Sequence, residues 1–287
     1  MLDAISAEAL KFKRHRATWG LVWIWPIGLT LIWLLAIGAE LSGAGGEAGG
    51  EGRGGPTAVG WIADNVGFWG VPGHPFGRYI IGAFVAVVFA GEYGWNTWKL
   101  IVPHRARTSL IAAKYAIAFI LLAIGFTLAA LLFNLFGWLE DVLTGDSIPA
   151  GVTAMALLKA HGVGALAALP AVLLTIAYVS LAAILTRSTV AALVIGLVVT
   201  TVEQLFFNFG PMFEPYAPSL VTGLYEVLPG YHVANAASVI SQGRVAEIPF
   251  PSGAFSTSLT TSLAIVGAWI VAMVGLTFWS FKRQDIN

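Results

Sequence analysis

Cysteine is absent from all 287 residues, which removes disulfides, thiolate metal sites and thiol nucleophiles together. Charge is scarce as well: 10% of residues are Asp, Glu, Lys or Arg, where soluble chains carry roughly 25%. With 57% hydrophobic residues, the chain reads as an integral membrane protein. Basic and acidic residues balance at 15 each, so no net positive field recommends a nucleic-acid partner. Gly-Lys-Ser/Thr occurs nowhere, which excludes a P-loop. His15, His74, His104, His161 and His232 lack metal-ligand spacing, and no Gly-x-Ser-x-Gly marks a hydrolase nucleophile. Alone, the chain shows no means of binding or hydrolysing ATP.

What is present is a series of long apolar runs with short charged breaks. They predict an all-α protein, one transmembrane domain over 1–287, with six spanning helices at about 19–38, 77–95, 115–138, 160–186, 190–209 and 257–281. Residues 1–18 put Leu2, Ile5, Ala9 and Phe12 on one helical face and Glu8, Lys11, Arg14 and His15 elsewhere, the pattern of a helix lying at a headgroup interface in contact with membrane lipids. No cleavage pattern follows Lys11 to Arg16, so this segment reads as retained. A glycine-rich loop fills 41–56, and 61–74 predicts a short interfacial helix.

The second span is short of uncharged residues. Its run from Tyr79 to Gly91 rises only about 20 Å against a hydrocarbon core of about 30 Å, so it must extend past a charge, with Arg78 snorkelling to the outer headgroups. Arg187 and Ser188 form a tight inner turn. Residues 208–251 make a long outer segment, in which Tyr225 to Ile240 is too apolar for a free loop yet broken by Pro229 and Gly230. Lys and Arg counts place both termini inside a cell membrane: Lys11, Lys13, Arg14, Arg16, Lys99, Arg105, Arg107, Lys114, Arg187, Lys282 and Arg283 fall on the cytoplasmic side, and only Arg53, Arg78, Lys159 and Arg244 outside.

The organising stretch is GEYGWNTWKLIVPHRARTSLIAAK, between the second and third spans. Glu92, Asn96 and Lys99 share one stripe at helical spacing. Pro103 disfavours helix at Val102, so the chain bends, presents His104, Arg105 and Arg107 to water, and restarts with Thr108 or Ser109 as N-cap. The result is a cytoplasmic elbow over 92–107. A carboxylate near the inner end of a span is costly unless paired or hydrated, and Arg105 or Lys114 is the candidate partner for Glu92. Glu203 with Gln204, in the outer half of the fifth span, meets the same cost; the pair marks either a substrate path or the outer interface.

This elbow resembles the coupling segment of ABC-2-type ABC exporter permeases, with Glu92, Gly94, Thr97, Trp98, Lys99, Arg105, Arg107 and Lys114 at the matching positions. EALKFKRHRATW resembles the family's N-terminal amphipathic helix, FKRQDI its C-terminal end, and 225–240 its outer pair of re-entrant helices before the last span. The resemblance implies a permease subunit of an ATP-driven exporter. It holds no cofactor itself, ATP and Mg being bound by a separate ABC ATPase subunit, and it pairs with a second permease chain, identical or related. The rival reading is a stand-alone secondary carrier or a membrane-anchoring subunit. A carrier calls for internal repeats and midplane charges, and no repeat is evident.

Overall fold

The computed structural model describes residues 2–42, 57–94 and 97–285. The rest of the glycine-rich loop with Arg53, the pair Trp95 and Asn96, and Ile286 of the C-terminal motif lie outside the described residues. In chain order the helices are α1 (Leu2–Lys13), α2 (Arg16–Leu21), α3 (Ile24–Leu41), α4 (Ala58–Asn65), α5 (Pro75–Gly94), α6 (Trp98–Ile101), α7 (Arg107–Thr144), α8 (Ala154–Thr186), α9 (Thr189–Phe209), α10 (Pro218–Val227), α11 (Pro229–Gln242) and α12 (Leu259–Arg283). Short 3-10 turns occupy Gly67–Gly73, Val102–His104 and Gly210–Phe213, and two strands, β1 (Ile248–Phe250) and β2 (Gly253–Phe255), precede α12. The protein is an α-helical membrane protein. Five segments, Pro75–Gly94, Arg107–Thr144, Ala154–Thr186, Thr189–Phe213 and Leu259–Arg283, are long and apolar enough to cross a bilayer.

The first expected span is the exception. It is broken: α2 ends at Leu21, and the Trp23 amide reaches back five residues to the Thr18 carbonyl at 3.1 Å, a widened turn. Pro26 is the physical reason, since it has no N–H to give the Val22 carbonyl and therefore belongs in the first turn of a new helix. The apolar stretch Ile24–Ala39 falls short of the length of the other five. The break packs against Gly125 of α7, where a Cβ would meet a Val22 side-chain carbon at 2.8 Å.

Other boundaries move for local reasons. The third helix runs over 38 residues from Arg107, well beyond 115–138, and its N-cap is Ala106 in extended backbone with no side-chain bond; Thr108 and Ser109 are already helical. Helix α8 begins at Ala154, with the Thr153 hydroxyl accepting from the Ala156 amide at 3.2 Å, and runs through Pro170 to Thr186. The 61–74 region forms α4 and a 3-10 turn with buried Trp61 and Phe68, packed on α7 and α8. In the long segment after α9, α10 and α11 meet at Leu228, immediately before Pro229, and the β1–β2 hairpin closes over Val221, Tyr225 and Tyr231. Three-residue strands carry too little alternation to be read from sequence.

Helices α5 and α8 form the core, with 61% and 78% of their apolar windows buried; α9 and α12 bury 17% and 11%. We refer below to the elbow end, where Glu92 lies, and the hairpin end, where β1 and β2 lie.

Arg187 and Ser188 make the tight turn expected of them. Arg187 is the only non-glycine at positive φ among the described residues, at φ 54 and ψ 23, and its amide caps the Ala183 carbonyl. A left-handed side-chain-bearing residue costs about 1 kcal/mol relative to glycine there. Arg187→Gly is therefore expected to raise the thermal unfolding midpoint of the detergent-solubilised protein. A lowered midpoint would mean that the guanidinium contributes more than the backbone strain costs.

Candidate functional site

At the elbow end four charges meet. Glu92, on the last turn of α5 and 4% exposed, pairs with Lys11 of α1 and lies 3.3 Å from Lys114 of α7. Lys114 is fully buried; its Nζ donates to the Val88 carbonyl at 2.8 Å and contacts Glu8 of α1 at 3.3 Å. The Thr97 hydroxyl donates to the second Glu92 carboxylate oxygen. The Trp98 ring lies 5.2 Å from the Lys114 ammonium, which adds cation–π attraction. Two acids and two bases are thus neutralised in one group, with Glu92 and Lys114 buried at its centre and Lys11 at its exposed edge; such pairing is how ions survive in a low-dielectric interior.

The pairing of Glu92 with Lys114 is the sequence expectation realised; Arg105 instead faces Asp3 at 3.5 Å on an exposed surface. Arg107 donates to the carbonyls of Phe281, Lys282 and Gln284 at 3.2, 2.9 and 2.6 Å, capping the last turn of α12. Trp98 packs on Phe281 at 4.6 Å and on Tyr93 at 5.8 Å, whose hydroxyl donates to Gln284 at 2.5 Å. Gly94 ends α5, so Glu92 and Lys99 do not share one helix: Lys99 is exposed on α6. Asn96 lies outside the described residues.

Sequence reasoning placed the helix α1 but missed its part in this charge group. Glu8 and Lys11 stood on its polar face, yet the face that packs inward is Ala4, Glu8 and Phe12, with Ala9 exposed. The signal was there in the i, i+4, i+8 spacing of these three, hidden because a glutamate was assumed to face water. A groove of about 590 Å³ remains between α1, α5 and α6, lined by Ala4, Val87, Leu100 and Leu110 among others. His15, at the end of α1, accepts from the Ala17 amide at 3.1 Å; burial first, then the Lys11 charge, lowers its pKa, favouring the neutral ring that this cap needs.

A second charge pair occupies the hairpin end. Arg78 does not snorkel to water: it is 6% exposed, with Nη1 2.8 Å from a Glu203 carboxylate oxygen and Nε donating to the Thr175 hydroxyl at 3.0 Å. Tyr178 donates to the other Glu203 oxygen. Glu203 and Gln204 also line a cavity of about 770 Å³ between α4, α8, α9 and α11. The Glu203 side chain is therefore largely enclosed by protein. Arg78 and Glu92 lie 14 residues apart on α5, about 21 Å, one pair at each end of the same helix.

Among the described residues no group of His, Asp and Glu could hold a metal ion. Lys114→Met, which leaves Lys11 as the one cation shared by Glu92 and Glu8, should destabilise the protein by about 3 kcal/mol. Adding Glu92→Gln should recover part of that loss, with a coupling on the order of 1 kcal/mol or more. Denaturant unfolding followed by tryptophan fluorescence reads both; strictly additive costs would show that the two residues do not support each other. No protein-family model, curated protein or solved structure matches the chain.

Proposed function

We propose that the chain is the transmembrane permease subunit of an ATP-driven exporter of the ABC-2 type, working with a separate ATPase subunit and a second permease chain. The observation that carries this reading is the Glu8–Lys11–Glu92–Lys114 charge group, centred on buried Glu92 and Lys114. Through it α1, the elbow and the ends of α5 and α7 form one unit, and Arg107 adds the end of α12. A force applied to α1 or the elbow is therefore delivered to the core helix α5 and to the least buried helix α12 together. That is the linkage a nucleotide-driven partner needs if its closure is to shift helix packing, since packed helices switch between discrete arrangements. The order of motifs in the sequence supports the same reading, from the N-terminal helix through Glu92, Thr97, Trp98 and Arg107 to the C-terminal tail.

On this reading α2 and α3 together make the first of six spans, the elbow end is cytoplasmic with both termini, and α10 and α11 are the re-entrant pair of the outer face. ATP closing two nucleotide-binding subunits pushes the elbow and opens a path outward. The chain itself binds neither ATP nor Mg.

Purification from its native membrane under mild detergent should recover an ATPase subunit in a complex with two copies of each kind, read by mass measurement, while the chain alone should show no ATP turnover. A chain that never recovers an ATPase, or that transports unaided, would favour a stand-alone carrier. The topology is checked separately: in this cysteine-free protein Ser147→Cys should react with an impermeant thiol reagent from outside intact cells, and Lys99→Cys should react only after lysis. The reverse pattern would overturn the orientation.

A further inference from the structure

The cavity at the hairpin end has the shape and polarity of a site for an elongated ligand. One wall is a face of α8 recurring every third or fourth residue, with Ala160, Gly164, Ala167 and Ala171 among its small residues. From Ala156 to Ala171 this wall spans about 22 Å. The opposing indole of Trp69 packs so closely that a Cβ on Gly164 would meet a ring carbon at 2.6 Å, while the Trp69 N–H donates to His161 at 3.0 Å. The volume of about 770 Å³ lies within the roughly 300–1,000 Å³ of small-molecule pockets. At ~30 Å³ for each water-sized group it holds roughly 25 such groups.

Charge at the two ends differs. At the floor Arg78 and Glu203 neutralise each other, and the remaining Arg78 nitrogen, Nη2, is buried without a hydrogen-bond partner among the described residues. At the rim Lys159 is exposed and has no acidic partner among the described residues. Among the described residues, Arg78, Glu203 and Lys159 are the charged ones lining the cavity, and of these three Lys159, at its mouth, is the positive charge left without a partner.

We propose that this cavity binds a single-chain anionic amphiphile of the long-chain fatty-acid class, its carboxylate at Lys159 and its chain laid along the small-residue face of α8 toward Arg78. The small residues of α8 form one continuous row, a track for a single chain. The apolar walls and the bilayer around them supply the partitioning; Lys159 supplies the choice of sign. The site stands independently of any ATPase partner.

The test uses the full chain in phosphatidylcholine nanodiscs and a diazirine-bearing palmitate. Photolabelling should saturate, map to peptides covering 156–171 and 230–242, and be competed by palmitate but not by phosphatidylglycerol or hexadecanol at the same concentration. Lys159→Gln should weaken half-saturation roughly fivefold, the factor expected for one surface lysine facing an anion. Ala160→Phe and Ala234→Phe, which fill the cavity, should abolish the label. Lys159 is exposed, so its variant carries the test even if a filling variant fails to fold. Labelling that rises linearly with concentration, that is unchanged in Lys159→Gln, or that phosphatidylglycerol competes as well as palmitate would overturn the proposal.

Discussion

An ionised side chain inside a membrane helix costs a few kcal/mol unless a partner of opposite sign is held against it, and α5 carries two such side chains within 14 residues. That constraint explains much of the architecture. Arg78 requires Glu203, which fixes α9 against α5; Thr175 and Tyr178 complete the shell and draw in α8. Glu92 requires Lys11 and Lys114, which fixes α1 and α7. The apolar run between the charges is then enclosed by the same neighbours, and Phe84, Val85, Val88 and Phe89 have no exposure. The run is too short to span alone, and pairing lets the helix extend past both of its charges without meeting water.

The parts legible in the sequence were those whose signal is local. Apolar runs marked the five long helices, the Arg187–Ser188 break marked the turn between α8 and α9, and Pro229 marked the joint between α10 and α11. Arg105 and Lys114 were both named as candidate partners for Glu92, and only the packing of α7 on α5 decides between them, setting Lys114 against Glu92 and leaving Arg105 to Asp3. Arg78 and Glu203 were each noticed, but nothing in a sequence says that positions 125 apart share one site. Arg78 was assigned to water because a long basic side chain near a helix end usually finds it. Glu8 was misplaced for the same kind of reason. The break at Val22 followed from Pro26, whose effect falls upstream at the carbonyl left without a donor and not at the proline.

Burial divides the helices into two classes. Helices α5 and α8 are enclosed, whereas α9 presents Val190, Val194, Val198, Val202, Leu205 and Phe209 along one stripe, each at least half exposed. In a soluble protein such a stripe would be a liability. In a bilayer it meets acyl chains or another helix at little cost, since lipid tails are as apolar as the side chains.

Helix α7 has a mechanical property that its length confers. Lys114 engages Glu92 near one end, and near the other Asp141 accepts from the Trp61 indole at 2.6 Å, 27 residues and about 40 Å away. Between them the helix is continuous and contains no proline. It therefore behaves as a rod: pivoted at Lys114, a tilt of about 5° sweeps Asp141 through roughly 3.5 Å over that length. Trp61 belongs to α4, which roofs the large cavity with Val59 and Ile62. A tilt at the charged end too small to break any of its ion pairs would, carried along this rod, displace the roof at the far end by ångströms.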